Sequence, residues 1–461
     1  MTNKPIRDRE EYIIEGYLHS DKFGDVDNPF TDPKVVDISS TILTVELYES
    51  LDRLYLTGNI TLADFKGIRS HFGLEGTEKL KLVIKYGGDE KPVPIIKSFI
   101  ITGIESVIKR NDNLEVVKLN FVEDFAYFGA LNKISKTFEG TPGDIIRNVS
   151  EQFLYKSIDE NILKDVSQII PNMRYISPNI NAFSIIDRIL QKMSNANING
   201  GPYFAYSTLL DDNLQLSELK TLLDNDVYND KYPYLYSSVS TSDEEIDGTI
   251  RILSFITPEY NNVFNMAREG LLNSELNNFD LTSGVTTSYN HNIIETIKKY
   301  NGENKTATIS GILKNPYDPS QTLLETKAKM ISNVTMSRPF AVSDSFPQTE
   351  PSGYHDETYN PDNHKNKLIS SALKSILLKK TYNITIEGAP TIVYQNKNLQ
   401  VGALLDIEYI KTGANPQNIT NPNEYLDKDR SGKFLIYRIR HDFKEFKHRV
   451  SLDIVKLSRE E

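Results

Sequence analysis

Residues 54–63 read Leu-Tyr-Leu-Thr-Gly-Asn-Ile-Thr-Leu-Ala, a run rich in apolar and β-branched residues with partial alternation. Such a run is typical of a β-strand that packs one face against a core. Gly58 stands inside it, and a glycine within a strand predicts a bulge or tight bend of the kind that curves a sheet. The run therefore predicts a curved β-sheet.

The neighbouring segments have the same character. Residues 37–48 are rich in β-branched residues, and residues 78–85 alternate charged and apolar side chains, which predicts a strand with one face in water. Residues 97–109 and 114–121 flank Asn111-Asp-Asn113, the signal for a β-hairpin. We interpret residues 1–125 as one antiparallel β-domain.

The chain past residue 125 mixes helical and strand patterns. Thr141-Pro-Gly-Asp144 is a helix-start signal. Apolar residues at helical spacing predict helices over residues 145–154 and 182–194, and short apolar runs predict strands at 203–206 and 214–216. We interpret residues 126–245 as an α/β middle domain, in which the polar, tyrosine-rich stretch from residue 224 to residue 248 is a loop.

Strand patterns return towards the carboxyl end. We interpret residues 246–300 and 367–461 together as a second β-domain, separated by an irregular insertion or extended arm over 301–366 that is rich in turn dipeptides. Helices are predicted over 261–269 and 367–379, and strands over 382–387, 399–408, 434–440 and 448–457. The fold class is β-rich α+β.

The composition excludes several classes of function. The chain of 461 residues has no cysteine, which removes thiol chemistry and cysteine-ligated metal sites. Its formal net charge is -11, the opposite of the balance expected for a nucleic-acid binder. The apolar run near the amino terminus is too short for a signal peptide, and no stretch of about 18 apolar residues predicts a transmembrane helix.

The histidines form no metal-binding or catalytic motif in the sequence. None of them has the spacing of a metal-binding helix, and interface or surface packing is the expected role of the seven, His19, His71, His291, His355, His364, His441 and His448. His441 and His448 fall near one predicted hairpin, but no carboxylate cluster accompanies them in the sequence. We therefore expect no catalytic and no metal-binding histidine.

Residues 427–432 resemble the first half of a calcium-binding loop, with oxygen-bearing side chains at alternate positions and Gly432 at the sixth. The twelfth position, which needs a bidentate glutamate, is Arg438. We interpret the segment as a plain turn before a strand.

A basic patch near the carboxyl end is the strongest hint of nucleic-acid binding. Its basic members are interleaved with Phe443 and Phe446 and comprise Arg438, Arg440, Lys444, Lys447, His448 and Arg449. Strand ends in solvent, or a protein interface, explain the same pattern and are favoured.

No nucleotide-binding or nucleophile motif is present, so we assign no catalytic residue, cofactor or metal. The adjacent acidic pairs Asp211-Asp212 and Glu244-Glu245 arise easily by chance. A glycosidase pair stays open, because its two carboxylates can come from distant parts of a chain.

An ordered series of segments resembles baseplate hub proteins of contractile-tailed, T-even-like bacteriophages, which are related to the hub part of VgrG spike proteins. In the first β-domain the resemblance lies in residues 56–64 and 71–84, including the turn Gly76-Thr-Glu78. Further along, the matching segments are residues 121–128, 134–140, 144–154, 176–190, 203–206, 214–219, 384–388, 399–405 and 431–441. Residues 301–366 match no segment of that family.

This resemblance implies two similar antiparallel β-barrel tube domains in each chain and a homotrimer in the assembled tail. Six similar barrels around one axis would join a sixfold tail tube to a threefold spike. The implied partners are tail tube proteins above, a separate spike protein below, and wedge or peripheral hub proteins. DNA and the tape-measure protein would pass through the lumen without specific binding. The implied location is the virion baseplate, assembled in the bacterial cytoplasm without stable membrane insertion, and no enzyme activity is expected.

Three other interpretations remain. The chain could be the hub portion of a type VI secretion or other contractile injection spike, but those chains usually continue into a needle, whereas this one stops after its last predicted strand. A tail-associated lysin would need an extra catalytic module, for which no segment is left over. A carbohydrate-binding β-protein would bind glycans as a monomer.

Overall fold

The computed structural model describes these residues: 12–19, 35–65, 67–69, 74–76, 78–86, 94–158, 173–191, 193, 201–229, 234–236, 250–257, 263–280, 286–301, 306–307, 314–315, 317–322, 328–335, 355–356, 361–387, 393–394, 397–411, 426–445, 447–456 and 458–459.

The amino-terminal part consists of seven strands and a 3-10 helix at Ser39–Thr41. The strands are β1 (Tyr12–His19), β2 (Val35–Asp37), β3 (Ile42–Ser50), β4 (Thr57–Asp64), β5 (Lys79–Tyr86), β6 (Ile95–Asn111) and β7 (Leu114–Glu123). They pair antiparallel in the order β2-β1-β5-β6-β7-β4-β3. Apolar residues of alternate strand positions form one core, as the sequence pattern predicts.

Gly58 lies within β4, but its role differs from the prediction. It pairs in register with Leu47 on one side and Phe121 on the other, so no bulge occurs there. A Cβ atom at this position would lie 2.3 Å from the backbone oxygen of Glu46 and 2.6 Å from the Phe121 ring. The glycine is required by close packing of the ring over the strand, which a one-dimensional pattern does not reveal.

The turn at Gly76 is held by a buried carboxylate. Gly76 has a φ of +93°, a conformation that favours glycine. Oxygens of the Glu78 side chain accept hydrogen bonds from the backbone N–H groups of Glu75, at 2.9 Å, and of Gly76, at 3.0 Å. The positive φ and the two hydrogen bonds explain why a glycine and a glutamate suit positions 76 and 78.

The middle part packs short helices against short strands. In chain order its elements are α1 (Asp124–Leu131), β8 (Lys133–Ile134), β9 (Thr137–Gly140), α2 (Pro142–Val149), a π-helix (Ser150–Leu154), β10 (Met173–Ile176), β11 (Ile180–Asn181), α3 (Ala182–Leu190), β12 (Tyr203–Tyr206), β13 (Gln215–Glu218) and α4 (Leu219–Asp224). Thr141 and Asp144 form the predicted capping box at the start of α2. The predicted apolar stripes of α2 and α3 meet in one core.

The carboxyl-terminal part contains the remaining elements. They are β14 (Tyr234–Tyr236), β15 (Ile250–Ile256), α5 (Val263–Arg268), β16 (Asn273–Asp280), β17 (Thr286–Asn292), α6 (Ile293–Asn301), β18 (Thr306–Ala307), β19 (Lys314–Asn315), β20 (Asp318–Thr322), β21 (Ala328–Thr335), β22 (His355–Asp356), α7 (Pro361–Leu377), β23 (Thr381–Glu387), β24 (Val393–Tyr394), β25 (Lys397–Asn398), β26 (Leu404–Tyr409), β27 (Gly432–Lys444), β28 (Lys447–Val455) and β29 (Ser458–Arg459).

Six of these strands pair in a ring, β27-β26-β14-β15-β23-β28, in which β28 returns to β27. β14 pairs in parallel with both of its neighbours, so the ring is not wholly antiparallel. The predicted loop over residues 224–248 is wrong at 234–236, where β14 lies. Three residues are too few to give a strand pattern, and the pairing partners of β14 come from distant parts of the chain.

Two further segments depart from the sequence interpretation. The predicted strand over 399–408 begins at Leu404, because Gly402 has a φ of +84° and lies in a turn. Within the predicted insertion, β21 pairs with β16, β18 with β29, and β22 with β10. Three of the five described strands of residues 301–366 therefore pair with elements outside that stretch, whereas β19 and β20 pair with each other.

The two β-rich parts are joined edge to edge. β3 pairs antiparallel with β27 from Ser50↔Arg438 to Thr44↔Lys444, so thirteen strands form one continuous sheet. We call this pairing the seam. The β-rich fold with a large, mainly antiparallel sheet is thereby confirmed, whereas the predicted domain boundaries stay a prediction. Among the described helices, none combines the length and apolar character needed to cross a bilayer.

Candidate functional site

His441 and His448 meet inside the protein. They lie on β27 and β28, and their Nδ1 and Nε2 atoms share a hydrogen bond of 3.0 Å. Both rings are buried, and the ring of Phe443 stacks on His448 with centroids 4.4 Å apart. Burial, followed by the neighbouring His441, lowers the pKa of His448 well below its usual value, so this ring is neutral at pH 7.

A carboxylate that the sequence analysis missed completes this cluster. Oε1 of Glu49, on β3, lies 3.4 Å from Nε2 of His441. The same side chain accepts hydrogen bonds from the backbone N–H groups of Leu209, at 2.9 Å, and Val401, at 3.2 Å. Glu49 therefore ties the seam to the middle part and to the carboxyl-terminal part. Its position far away in the chain gave no spacing signal.

The other histidines whose side chains the structure describes, His19 and His291, form no metal site. His291 is buried, where burial lowers its pKa, and its Nε2 atom lies 3.0 Å from the oxygen of Leu271. His19 is half-buried, and His71 lies outside the described residues. Among those residues, no group of three or more potential ligands could hold a metal ion.

The calcium-like segment is a turn. The Asp427 carboxylate accepts hydrogen bonds from the backbone N–H groups of Asp429 and Arg430, at 2.9 and 3.2 Å. A carboxylate that closes its own turn in this way is an ordinary turn feature. Arg438 points instead towards Asp52, with Nη2 and Oδ2 2.8 Å apart.

The basic patch is divided by the fold. Arg440 forms a 2.7 Å ion pair with Glu46 across the seam, as Arg438 does with Asp52. The pKa of the Glu46 carboxyl is lowered overall. Burial raises this pKa, but the hydrogen bond from Tyr48 and the charge of Arg440 lower it by more. His448 and Phe443 face the core, while Phe446 lies outside the described residues. Two arginines of the patch therefore form ion pairs across the seam.

Two lysines form a second polar cluster where the middle part meets the first sheet. Nζ of Lys97, almost fully buried, lies 2.8 Å from Oδ1 of Asp212. Nζ of Lys156 lies 3.2 Å from Oε1 of Glu123 and donates to the backbone oxygen of Asp212 at 2.9 Å. Burial raises the pKa of Glu123 against the lowering effect of Lys156. The predicted chance pair Asp211-Asp212 thus has a structural role, and Glu244-Glu245 lies outside the described residues.

A cleft of about 440 Å³ opens beside this cluster. It is lined by α1, by the end of the π-helix and by the turn before β13, through Asp124, Phe125, Phe128, Leu154, Tyr155, Lys156, Ser157, Asp212 and Asn213. Phe128 is partly exposed and Tyr155 is 77% exposed. Large aromatic side chains at an open cleft are typical of binding surfaces.

Tyr155 is held in an uncommon conformation at the rim of this cleft. Its φ of 55° and ψ of 32° lie in the left-handed region, which bulky residues rarely adopt. The Ser150 hydroxyl donates a 2.6 Å hydrogen bond to the oxygen of Lys156 and so fixes the chain around it. π-helices and strained residues occur often at functional sites.

The β6–β7 hairpin exposes a second apolar surface. β5 pairs with β6 as far as Ile100, and the turn at Gly76 lies beside residues 101–103. The edge of β6 from residue 104 to residue 111 has no strand beside it in the described part of the chain. Val107 and Ile108, consecutive residues whose side chains lie on opposite faces of β6, are 40% and 48% exposed. An open edge with apolar side chains invites a partner. We treat this hairpin and the cleft as the candidate assembly surfaces.

Searches by sequence and by structure give different results. No protein-family profile and no curated protein matches the sequence. In structure, the chain is similar to the tail protein from Neisseria meningitidis MC58, with a TM-score of 0.51, 12% identity and 97% of each chain covered. The chain shares its fold with a tail protein.

Two weaker likenesses have TM-scores under 0.5. The 43 kDa tail protein of prophage MuSo2 from Shewanella oneidensis has a TM-score of 0.49 and 8% identity, with 97% of this chain and 98% of that chain covered. A chain of the Francisella PdpA-VgrG complex has a TM-score of 0.47 and 10% identity, and the match covers 99% of this chain but 59% of that one. The resemblance to tail proteins seen in the sequence is confirmed at the level of the fold.

Proposed function

We propose that this chain is a structural baseplate hub of a contractile tail and has no enzymatic role. The observation that carries the proposal is the fold likeness to a tail protein along 97% of both chains. The ordered sequence segments that resemble hub proteins, from residues 56–64 to residues 431–441, support the same function independently.

In this proposal the chain forms a homotrimer that joins a sixfold tube to a threefold spike. Each chain supplies two β-barrel units, one formed by β1 to β7 and the other by the ring of six strands. Three chains then place six units around one axis, which matches the tube above. The seam supports this arrangement, because a continuous sheet holds the two units of one chain at a fixed spacing.

The partners in this proposal are tube proteins above the ring, a separate spike protein below it, and wedge or peripheral hub proteins around it. The ring lies in the virion baseplate after assembly in the host cytoplasm. DNA and the tape-measure protein pass through its lumen without specific binding. A formal net charge of -11 fits a channel that repels nucleic acid.

Deletion of the gene in cells that make the particle tests the proposal. We expect electron micrographs to show no complete tails, and a plasmid copy of the gene to restore them. Normal tails in the deletion strain would refute a hub role, because a hub links the tube to the spike in every particle.

A further inference from the structure

The two candidate assembly surfaces complement each other. The cleft presents exposed aromatic rings from Phe128 and Tyr155, and one face of the hairpin presents the exposed aliphatic side chain of Ile108. Burial of apolar surface from both sides is the main favourable contribution to protein association. Neither surface covers the other within one chain.

Their charges are also complementary. At the hairpin, Lys109 pairs with Asp112 at 3.2 Å, and Lys118 pairs with Glu105 at 3.0 Å. Arg110 has no carboxylate within 4 Å among the described residues. At the cleft, the Asp124 carboxylate accepts a hydrogen bond from the N–H of Phe125. Among the described residues, no cationic side chain lies within 4 Å of this carboxylate. Arg110 and Asp124, which have no ion-pair partner among the described residues, thus lie beside the two apolar surfaces.

Arg110 is an exposed residue at an irregularity of β6. Lys109 pairs with Glu115 and Asn111 pairs with Leu114, so Arg110 is an extra residue between two regular pairs. Such a bulge bends the strand and changes the direction of a side chain. The Arg110 side chain is exposed, so its guanidinium group is available to a partner.

The hairpin of a chain cannot reach the cleft of the same chain. Ile108 pairs with Val116, and β7 runs on from Val116 to Glu123, directly before the cleft residue Asp124. At about 3.4 Å per residue this is roughly 24 Å along a paired strand. β4 pairs with β7 along this length and prevents it from folding back. Any contact between the two surfaces must join different chains.

We propose that the β6–β7 hairpin of one copy docks into the cleft of a neighbouring copy, where Arg110 pairs with Asp124 and Ile108 packs on Phe128 and Tyr155. The two surfaces are different, so the contact is heterologous, and heterologous contacts close into rings when the rotation allows it. The inference rests on the proposed ring-forming function and names the contact that would build the ring.

Disulfide trapping tests the docking cleanly, because the chain has no cysteine of its own. The full-length single variants Ile108→Cys and Tyr155→Cys are mixed and oxidised with a mild oxidant. We expect covalent dimers that contain one copy of each variant, since a disulfide forms only where Cα atoms approach within about 7 Å. The double variant is expected to give linked dimers and trimers on a denaturing gel.

Ile13→Cys with Tyr155→Cys is the matched control pair. Ile13 is 46% exposed on β1, close to the exposure of Ile108, but lies outside both surfaces. The docking would be overturned if the yield of covalent dimer from Ile108→Cys with Tyr155→Cys were no higher than the yield from this control pair. Dimers of Ile108→Cys alone in higher yield than the mixed dimer would also overturn it, because they would indicate two hairpins paired edge to edge.

Charge exchange provides a second test at the same contact. Arg110→Asp in the double-cysteine chain is expected to reduce the cross-link yield about tenfold, because two like charges would meet. Asp124→Arg in addition is expected to restore the yield to within about threefold of the starting chain. No recovery would count against the pairing. If trapping fails although particles contain a ring of this chain, only the docking is wrong. If trapping succeeds but no such ring exists, the proposed function is wrong.

Discussion

Replacement of Glu49 by alanine removes the acceptor that ties three parts of the molecule together. The carboxylate accepts hydrogen bonds from Leu209 and Val401 and lies 3.4 Å from His441. In Glu49→Ala, two backbone N–H groups would lose their partner in a buried site, and each such group costs about 1–3 kcal/mol. We therefore expect the free energy of unfolding to fall by about 2–6 kcal/mol. Glu49→Gln keeps one acceptor oxygen and is expected to cost about half as much.

Urea denaturation followed by tyrosine fluorescence and far-ultraviolet circular dichroism measures this change. Asp112→Ala is the control, because Asp112 lies at the exposed hairpin turn in an ion pair of two exposed side chains. Surface changes of this kind stay within about 0.5 kcal/mol. If Glu49→Ala costs no more than Asp112→Ala, Glu49 does not tie the seam to its neighbours and the reasoning is wrong.

Two further predictions concern buried positions. The pKa of His448 is lowered in the folded state. Below about pH 6.5 the unfolded chain therefore binds a proton at this histidine that the folded chain does not. We expect the free energy of unfolding to fall by up to about 1.4 kcal/mol for each pH unit below that value. His448→Phe is expected to flatten that fall in denaturation series from pH 7 to pH 5, whereas an equally steep fall would show that other groups cause it. Gly58→Ala is expected to destabilise by about 2 kcal/mol or more, because the new methyl group would meet backbone at 2.3 Å. Gly103→Ala is the control with nothing within 4 Å, and equal melting temperatures for the two variants would contradict the packing argument.

Local signals in the sequence predicted local structure well. The turn at Asn111-Asp-Asn113 predicted the β6–β7 hairpin, and Thr141 with Asp144 predicted the start of α2. Each of these features is decided by residues close together in the chain, through turn geometry or a capping hydrogen bond. Alternating strands likewise predicted which side chains face the core.

Contacts between distant segments were beyond the sequence. Residues 234–236 form a strand because two distant strands flank them, not because of their own pattern. Glu49 reaches His441 only because β3 pairs with β27. Gly58 is a glycine because the ring of Phe121 lies over it. The cleft depends on a π-helix, which differs from an α-helix by a shift in hydrogen bonding that residue spacing does not reveal.

Cryo-electron microscopy of purified tail particles tests the hub proposal most directly. The account predicts three copies of this chain in a ring between the tube and the spike. In each copy, β3 should pair with β27, and two β-barrel units should face the tube. Density for this chain at any other place in the particle, or a ring with a number of copies other than three, would contradict the account.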